Sequence, residues 1–425
     1  MRIFVRQLLL TAFLASFISS AFATNGYLSH GYGIKSRGLA GAGVALPQET
    51  LIAATNPAGI SFLGNRVDAS VALFSPQRSY EVTGTPTGPF PLANGKVDSD
   101  SEYFVIPEMG ATWQLDDHKS IGIMLYGNGG MNTDYSASQT TSNGTFYAGT
   151  AGVDLSQLFI TPTFSYRFDN DAAIGVSAVL AYQRFEAKGI SSFGMLSTSP
   201  DDLSNNGHEN SYGAGINLGF MLPVGSQVTI GGGYRSKVYM TEFDDYKGLF
   251  AEEGDFDIPA SATIGLAWKT TQSLTFLLDV QKTWYSDVDS IGNAMMPAMG
   301  NCMMGQSASC LGGDDGMGFG WDDMTTVKLG VQYEAGNDWT WRAGYSHGDQ
   351  PIDDSEVFFN ILAPGVMEEH FTAGFTKTFD NGTQEINFAA MYAPSNSVDG
   401  QIISGQTVEL EMEQYQLELG WSLLF

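Results

Sequence analysis

Gln414-Tyr415-Gln416-Leu417-Glu418-Leu419-Gly420-Trp421-Ser422-Leu423-Leu424-Phe425 ends the chain. Tyr415, Leu417, Leu419, Trp421, Leu423 and Phe425 share one parity; Gln414, Gln416, Glu418, Gly420 and Ser422 share the other. A period of two marks a β-strand, because successive side chains point to opposite faces. An apolar row backed by a polar row suits lipid on one side and a polar interior on the other. A soluble edge strand shows the same pattern, so its neighbours decide.

Working back, the pattern recurs. Tyr212 to Leu222 alternate with Gly213, Gly215, Asn217 and Gly219, and Val228, Ile230, Tyr234, Val238 and Met240 with Thr229, Gly231, Arg235, Lys237 and Thr241. Ile258 to Trp268, Leu274 to Val280, Val327 to Tyr333 and Phe371 to Phe379 repeat it. Short turns such as Asp116-Asp117-His118-Lys119, Asp169-Asn170-Asp171 and Asp380-Asn381-Gly382-Thr383 are hairpin chemistry. Between them run longer segments, over 84–99, 130–153, 189–209, 243–256, 286–323, 347–368 and 394–407. Long loops on one side and short turns on the other is the outer-membrane pattern, and the alternation counts to about fourteen strands. A soluble propeller or sandwich also has many strands, but needs neither the long-short rhythm nor a terminal aromatic strand.

Composition agrees. Hydrophobic residues make up 43% and charged residues 15%, against about 25% charged in soluble proteins. No run of about eighteen apolar residues follows the leader, so no helical span is expected. A large secreted β-domain is the competing class. The formal charge is −27, which excludes nucleic acid as a partner. Met1–Ala23 reads as a secretory signal, with Arg2 and Arg6, a short apolar core and Ala21-Phe22-Ala23 for cleavage. After export, Cys302 and Cys310 are expected to be bonded.

Residues 24–64 break the rhythm. They hold Gly38-Leu39-Ala40-Gly41-Ala42-Gly43-Val44 and Ala53-Ala54-Thr55-Asn56-Pro57-Ala58-Gly59, with no strand alternation. Glycine permits close backbone approach, and Pro57 pushes Asn56 away from helix. Leu39, Val44, Leu51 and Ile60 make a disordered linker a poor reading. A compact plug inside something larger fits better. The third strand carries a second irregularity. After Ile121, Ile123 and Leu125 come Gly127-Asn128-Gly129-Gly130, which mark a bulge, a close backbone approach or a strand end.

The glycine run followed by Asn56-Pro57-Ala58 resembles the N-terminal hatch of the FadL family. These are outer-membrane channels for long-chain fatty acids, with relatives that pass toluene, xylene and other hydrocarbons. The terminal aromatic strand likewise resembles the assembly signal of bacterial outer-membrane barrels. The family resemblance implies a 14-stranded barrel with its hatch at residues 24–64 and the barrel at 65–425. It places Asn56, Pro57 and Ala58 against an inward kink of the third strand at Gly127, Asn128, Gly129 and Gly130, where the wall opens sideways.

Candidate sites follow from parity. Arg235, Lys237, Lys328 and Arg342 are expected to point inward, a carboxylate clamp in a chain poor in cations. Asp279 and Glu418 are placed to pair with them instead. Phe193, Met195, Leu196, Leu249, Phe250, Phe358 and Phe359 lie in the long loops and supply either an apolar capture surface or loop-to-loop packing. No nucleophile–base constellation or Gly-x-Ser-x-Gly elbow appears, and no metal or cofactor is expected.

The reading is an all-β, monomeric outer-membrane barrel, in contact with outer-membrane lipid and lipopolysaccharide. It imports hydrophobic small molecules, long-chain fatty acids first among them, by passive diffusion. A porin for polar solutes and a surface adhesin or structural barrel are the rivals.

Overall fold

Fourteen antiparallel strands close into a barrel in the computed structural model, which describes residues 24–425. The leader expected over residues 1–23 lies outside them. The wall begins with β1 (Arg66–Thr83), β2 (Phe104–Gln114), β3 (Lys119–Asn132), β4 (Gly152–Arg167) and β5 (Ala173–Lys188). It continues with β6 (Glu209–Val224), β7 (Val228–Arg235), β8 (Ser261–Lys269), β9 (Leu274–Thr283) and β10 (Met324–Gly336). It ends with β11 (Trp339–Gly348), β12 (Glu369–Phe379), β13 (Gln384–Gln401) and β14 (Thr407–Leu424). Each strand pairs with the next, and β14 closes on β1 from Leu424↔Arg66 to Thr407↔Thr83. This closure joins the first and last strands, so neither of them is left as a free edge.

Burial follows the parity of the sequence. Leu417 and Leu419 are 55% and 60% exposed, while Gln416 and Glu418 are 4% and 1% exposed. Trp113, Phe168, Trp268, Trp341 and Trp421 face outward near the short turns, and Tyr212, Tyr239, Tyr392 and Tyr415 nearer the long loops. Aromatic belts of this kind match the two interfaces of a bilayer. Among the described residues no helix is long and apolar enough to span.

Two expectations need correction. The loop expected over 394–407 is mostly strand: β13 and β14 pair across Asn396↔Met412 to Gln401↔Thr407, leaving only 402–406 as a connection. Pro394 sits where the register shifts between Ala393 and Asn396, a bulge that tolerates proline. The second correction follows β7. Arg235 faces Asn217 of β6, and Tyr239 faces Ala214. The chain thus spends one more residue than its partner, a bulge that flips parity. Val238 and Ile258 are therefore buried and bridged to each other rather than turned to lipid. Lys237 loses its inward place, lying half-buried with its ammonium 3.1 Å from Asp257.

The long connections pack on one another. Phe146, Phe193 and Phe358 meet with ring centres 5.2–5.9 Å apart, and Phe250 packs at a tilt against Phe185 and Phe256 at 4.7 and 4.6 Å. Cys302 and Cys310 are bonded to each other within this layer.

Candidate functional site

β2 and β3 part company halfway along. β2 pairs with β1 from Thr112↔Arg66 to Phe104↔Phe74, but with β3 only from Gln114↔Ser120 to Met109↔Leu125. β3 alternates in burial from Lys119 to Met124; from Tyr126 to Asn132 every residue is buried. That is what a strand does on leaving the wall for the interior. The turn coincides with a register shift against β4 between Gly127 and Gly129, which leaves Asn128 unopposed. A bulge of one residue bends its strand. The Asn128 amide is bound at the bend: its oxygen accepts from Tyr32 Oη at 2.8 Å and Arg235 Nη1 at 2.5 Å, and its nitrogen donates to Gln157 at 2.9 Å.

The freed edge of β3 is taken by the start of the chain. Leu28 bridges Gly129, and Gly130 N donates to the Tyr27 carbonyl at 3.0 Å. A side chain at residue 129 would collide with that carbonyl. Tyr27 then packs against Tyr285, Trp321 and Phe256 at 5.5–6.2 Å. The expected partner of the break was Asn56-Pro57-Ala58, and the structure places that tripeptide elsewhere. Asn56 Nδ2 donates to the Val44 and Phe220 carbonyls at 2.8 and 2.9 Å, and Ser165 Oγ donates to the Ala58 carbonyl at 3.1 Å. The reason lies in a row of glycines across three strands, Gly175↔Gly219↔Gly233. A Cβ at any of them would strike Thr55, Asn56, Pro57 or Ala58. Only a wall stripped of side chains there admits this backbone.

The inward cations hold the same segment. Lys328 Nζ donates to the His30 carbonyl at 2.8 Å, and Arg342 Nη2 to Gln48 Oε1 at 2.7 Å. Neither Lys328, Arg342 nor Arg235 has an ion-pair partner within 4.0 Å among the described residues. The acids expected to pair with them are engaged by the segment too. Asp279 accepts from the amides of Gly43 and Val44 at 2.7 and 2.9 Å, and Glu418 takes Arg37 at 3.1 Å.

Arg37 also binds Glu108 of β2, so one guanidinium joins β2 to β14. All three side chains are buried, and Gly33 N adds a hydrogen bond to Glu108 at 3.0 Å. Strand parity does not single out Arg37, which lies outside the strands. A signal existed, since Lys35 and Arg37 are the only Lys or Arg residues in 24–64. Lys35 pairs with Glu385 at 2.6 Å.

Glu49 carries a pH dependence. Its Oε1 accepts from the amides of Lys35 and Ser36 at 2.8 and 3.1 Å. Burial and then the Asp68 carboxylate push its carboxyl up to about 7, against the pull of the Lys35 ammonium, with Glu418 adding to the rise. A raised acid contributes its stability in full below its ordinary value near 4.5 and loses it as pH rises through about 7. Residues 24–64 should therefore resist protease better at pH 5 than at pH 8, and Glu49→Gln should reduce the difference. An equal or reversed difference in the variant would count against this.

The loop residues named as a capture surface divide. Phe193, Leu196, Leu249, Phe250, Phe358 and Phe359 are buried in the loop layer, and Met195 is 79% exposed.

The chain matches the family model described as outer membrane protein transport protein (OMPP1/FadL/TodX) over residues 12–416. No match was found among curated proteins. The fold is similar to the Pseudomonas putida toluene transporter TodX (TM-score 0.68, 19% identity, covering 95% of this chain and 100% of that one). A Pseudomonas aeruginosa FadL homologue gives 0.68 at 13% identity over 94% and 99%. The Ralstonia pickettii toluene transporter TbuX gives 0.65 at 16% over 93% and 99%. At these identities the likeness is one of fold.

Proposed function

We infer that this chain, which belongs to the outer membrane protein transport family (OMPP1/FadL/TodX), is an outer-membrane channel that takes up long-chain fatty acids. Residues 24–64 are the hatch. They stop free passage along the barrel axis, so a ligand entering from the loop side meets Tyr27 and the residues around it. The parting of β2 from β3 beyond Leu125 supports lateral release into the bilayer at that height. An opening there must be lined by protein, because unpaired strand groups are costly in lipid. The segment Thr24–Ser29 lines it. An apolar chain loses nothing on leaving sideways, and its escape into lipid drives the flow without an energy source.

The single observation behind this reading is a strand that abandons its neighbour while the rest of the barrel stays paired. Cells that lack their own fatty-acid channel should regain oleate uptake when they express this protein. A correctly assembled barrel with no uptake above background would overturn the substrate class. Mass spectrometry of lipid co-purified with the protein then names the ligand.

A further inference from the structure

Arg78 stands apart from the other buried cations. It lies on the inner face of β1, opposite Met412 of β14, and is 6% exposed. Among the described residues its guanidinium makes one hydrogen bond, from Nη1 to the Ser101 carbonyl at 3.3 Å, and it lies 6.0 Å from the Phe104 ring. No carboxylate among the described residues comes within ion-pair distance. A guanidinium carries five N–H donors, and one bond leaves most of them unused. A buried charge in that condition is costly unless something answers it.

What it faces is a cavity of about 20 Å³, the scale of one water-sized polar group. Arg78 lines it together with Tyr27, Met131, Asn132, Trp321 and Met412. No acid lines this cavity, and its walls are otherwise mostly apolar. Asn132 and Thr133 also line a second cavity of about 280 Å³, whose lining includes Asp134, Asp154 and Glu186 together with Lys188 and His208. The basic groups there are already taken: Lys188 lies 3.0 Å from Glu186 and His208 lies 2.8 Å from Asp154. The first cavity offers a forked donor beside aromatic and thioether surface.

Both cavities sit where β2 leaves β3: Phe104 begins β2 and Asn132 ends β3. We propose that Arg78 binds the carboxylate of an amphipathic ligand at the outer end of the β2–β3 gap, orienting its hydrocarbon chain towards Tyr27 and Met131. The proposal rests on the uptake reading above and adds a residue that selects acids over uncharged lipids. A guanidinium suits the task because it meets a carboxylate with two parallel hydrogen bonds.

The test compares palmitate with 1-hexadecanol, binding each to the purified full-length protein in detergent. Wild type should prefer the acid. In Arg78→Met the acid-to-alcohol affinity ratio should fall by about tenfold or more, as expected for loss of a charge-assisted pair. Arg78→Lys should recover part of the ratio, because the charge returns without the fork. Heat-modifiable migration on gels confirms that each variant is assembled. An unchanged ratio in Arg78→Met, or equal losses for both ligands, would overturn the proposal, the second because it marks a packing role. Should wild type bind the alcohol without preferring the acid, only the Arg78 assignment falls. Should it bind neither, the uptake reading falls and takes this proposal with it.

Discussion

Deleting Asn128 should cut uptake of an apolar substrate by roughly tenfold or more while the barrel still assembles. The reasoning starts from register. Gly127 faces Leu158 and Gly129 faces Gln157, so Asn128 is the one residue of β3 with no opposite number on β4. Without it the ladder runs on unbroken. β3 then has no cause to bend and can continue beside Phe104–Glu108, the part of β2 that pairs only with β1. Closing that edge satisfies backbone groups and would remove the proposed side exit. Asn128→Gly is the companion variant. It discards the amide that binds Tyr32, Arg235 and Gln157 but keeps the extra residue, so uptake should survive in large part. If the deletion assembles and transports like wild type, lateral release is wrong, and a path through residues 24–64 towards the periplasm becomes the better mechanism.

The wall was legible in the sequence because lipid and lumen impose opposite demands on alternate residues. Tyr415 to Phe425 show this directly, and so do Phe276, Leu278 and Val280 on β9. Where parity failed, a bulge intervened. Nothing in Arg235-Ser236-Lys237-Val238 announces an extra residue, since neither glycine nor proline stands there. The irregular backbone at Gly127–Gly130 could be read from composition. Its neighbour could not. Thr24–Ser29 is too short to alternate, and its place depends on the whole chain having folded around it. The docking of Asn56-Pro57-Ala58 was hidden for a related reason. Gly175, Gly219 and Gly233 look like ordinary lumen-facing glycines one strand at a time, and become a track only once three registers align them. Ion pairs were the least legible. Arg37 reaches Glu108 and Glu418, 71 and 381 residues away in sequence, and periodicity carries no such information.

That ion pair predicts the second large effect. Arg37→Met should loosen residues 24–64 from the barrel and convert a closed pore into a conducting one. Arg37 is the only cation paired with Glu108 or Glu418 among the described residues. Removing it leaves two buried carboxylates facing each other across the segment. Breaking a buried pair from one side costs about 3–5 kcal/mol. The barrel itself should survive, because its strands close through backbone hydrogen bonds that do not pass through Arg37. The loss therefore falls on the docked segment, whose other anchors include the hydrogen bonds from Lys328 and Arg342, those from Gly43 and Val44 to Asp279, and the Lys35–Glu385 pair. In planar bilayers the variant should show ionic conductance that wild type lacks, and residues 24–64 should become open to protease. Adding Glu108→Gln and Glu418→Gln to Arg37→Met should restore much of the closed state, since neutral groups leave no charge stranded. Two results would refute the lock. One is an Arg37→Met channel as silent and as protease-resistant as wild type. The other is a wild-type protein that already conducts freely, which would also favour a porin for polar solutes, because an open lumen cannot coexist with a segment seated across it.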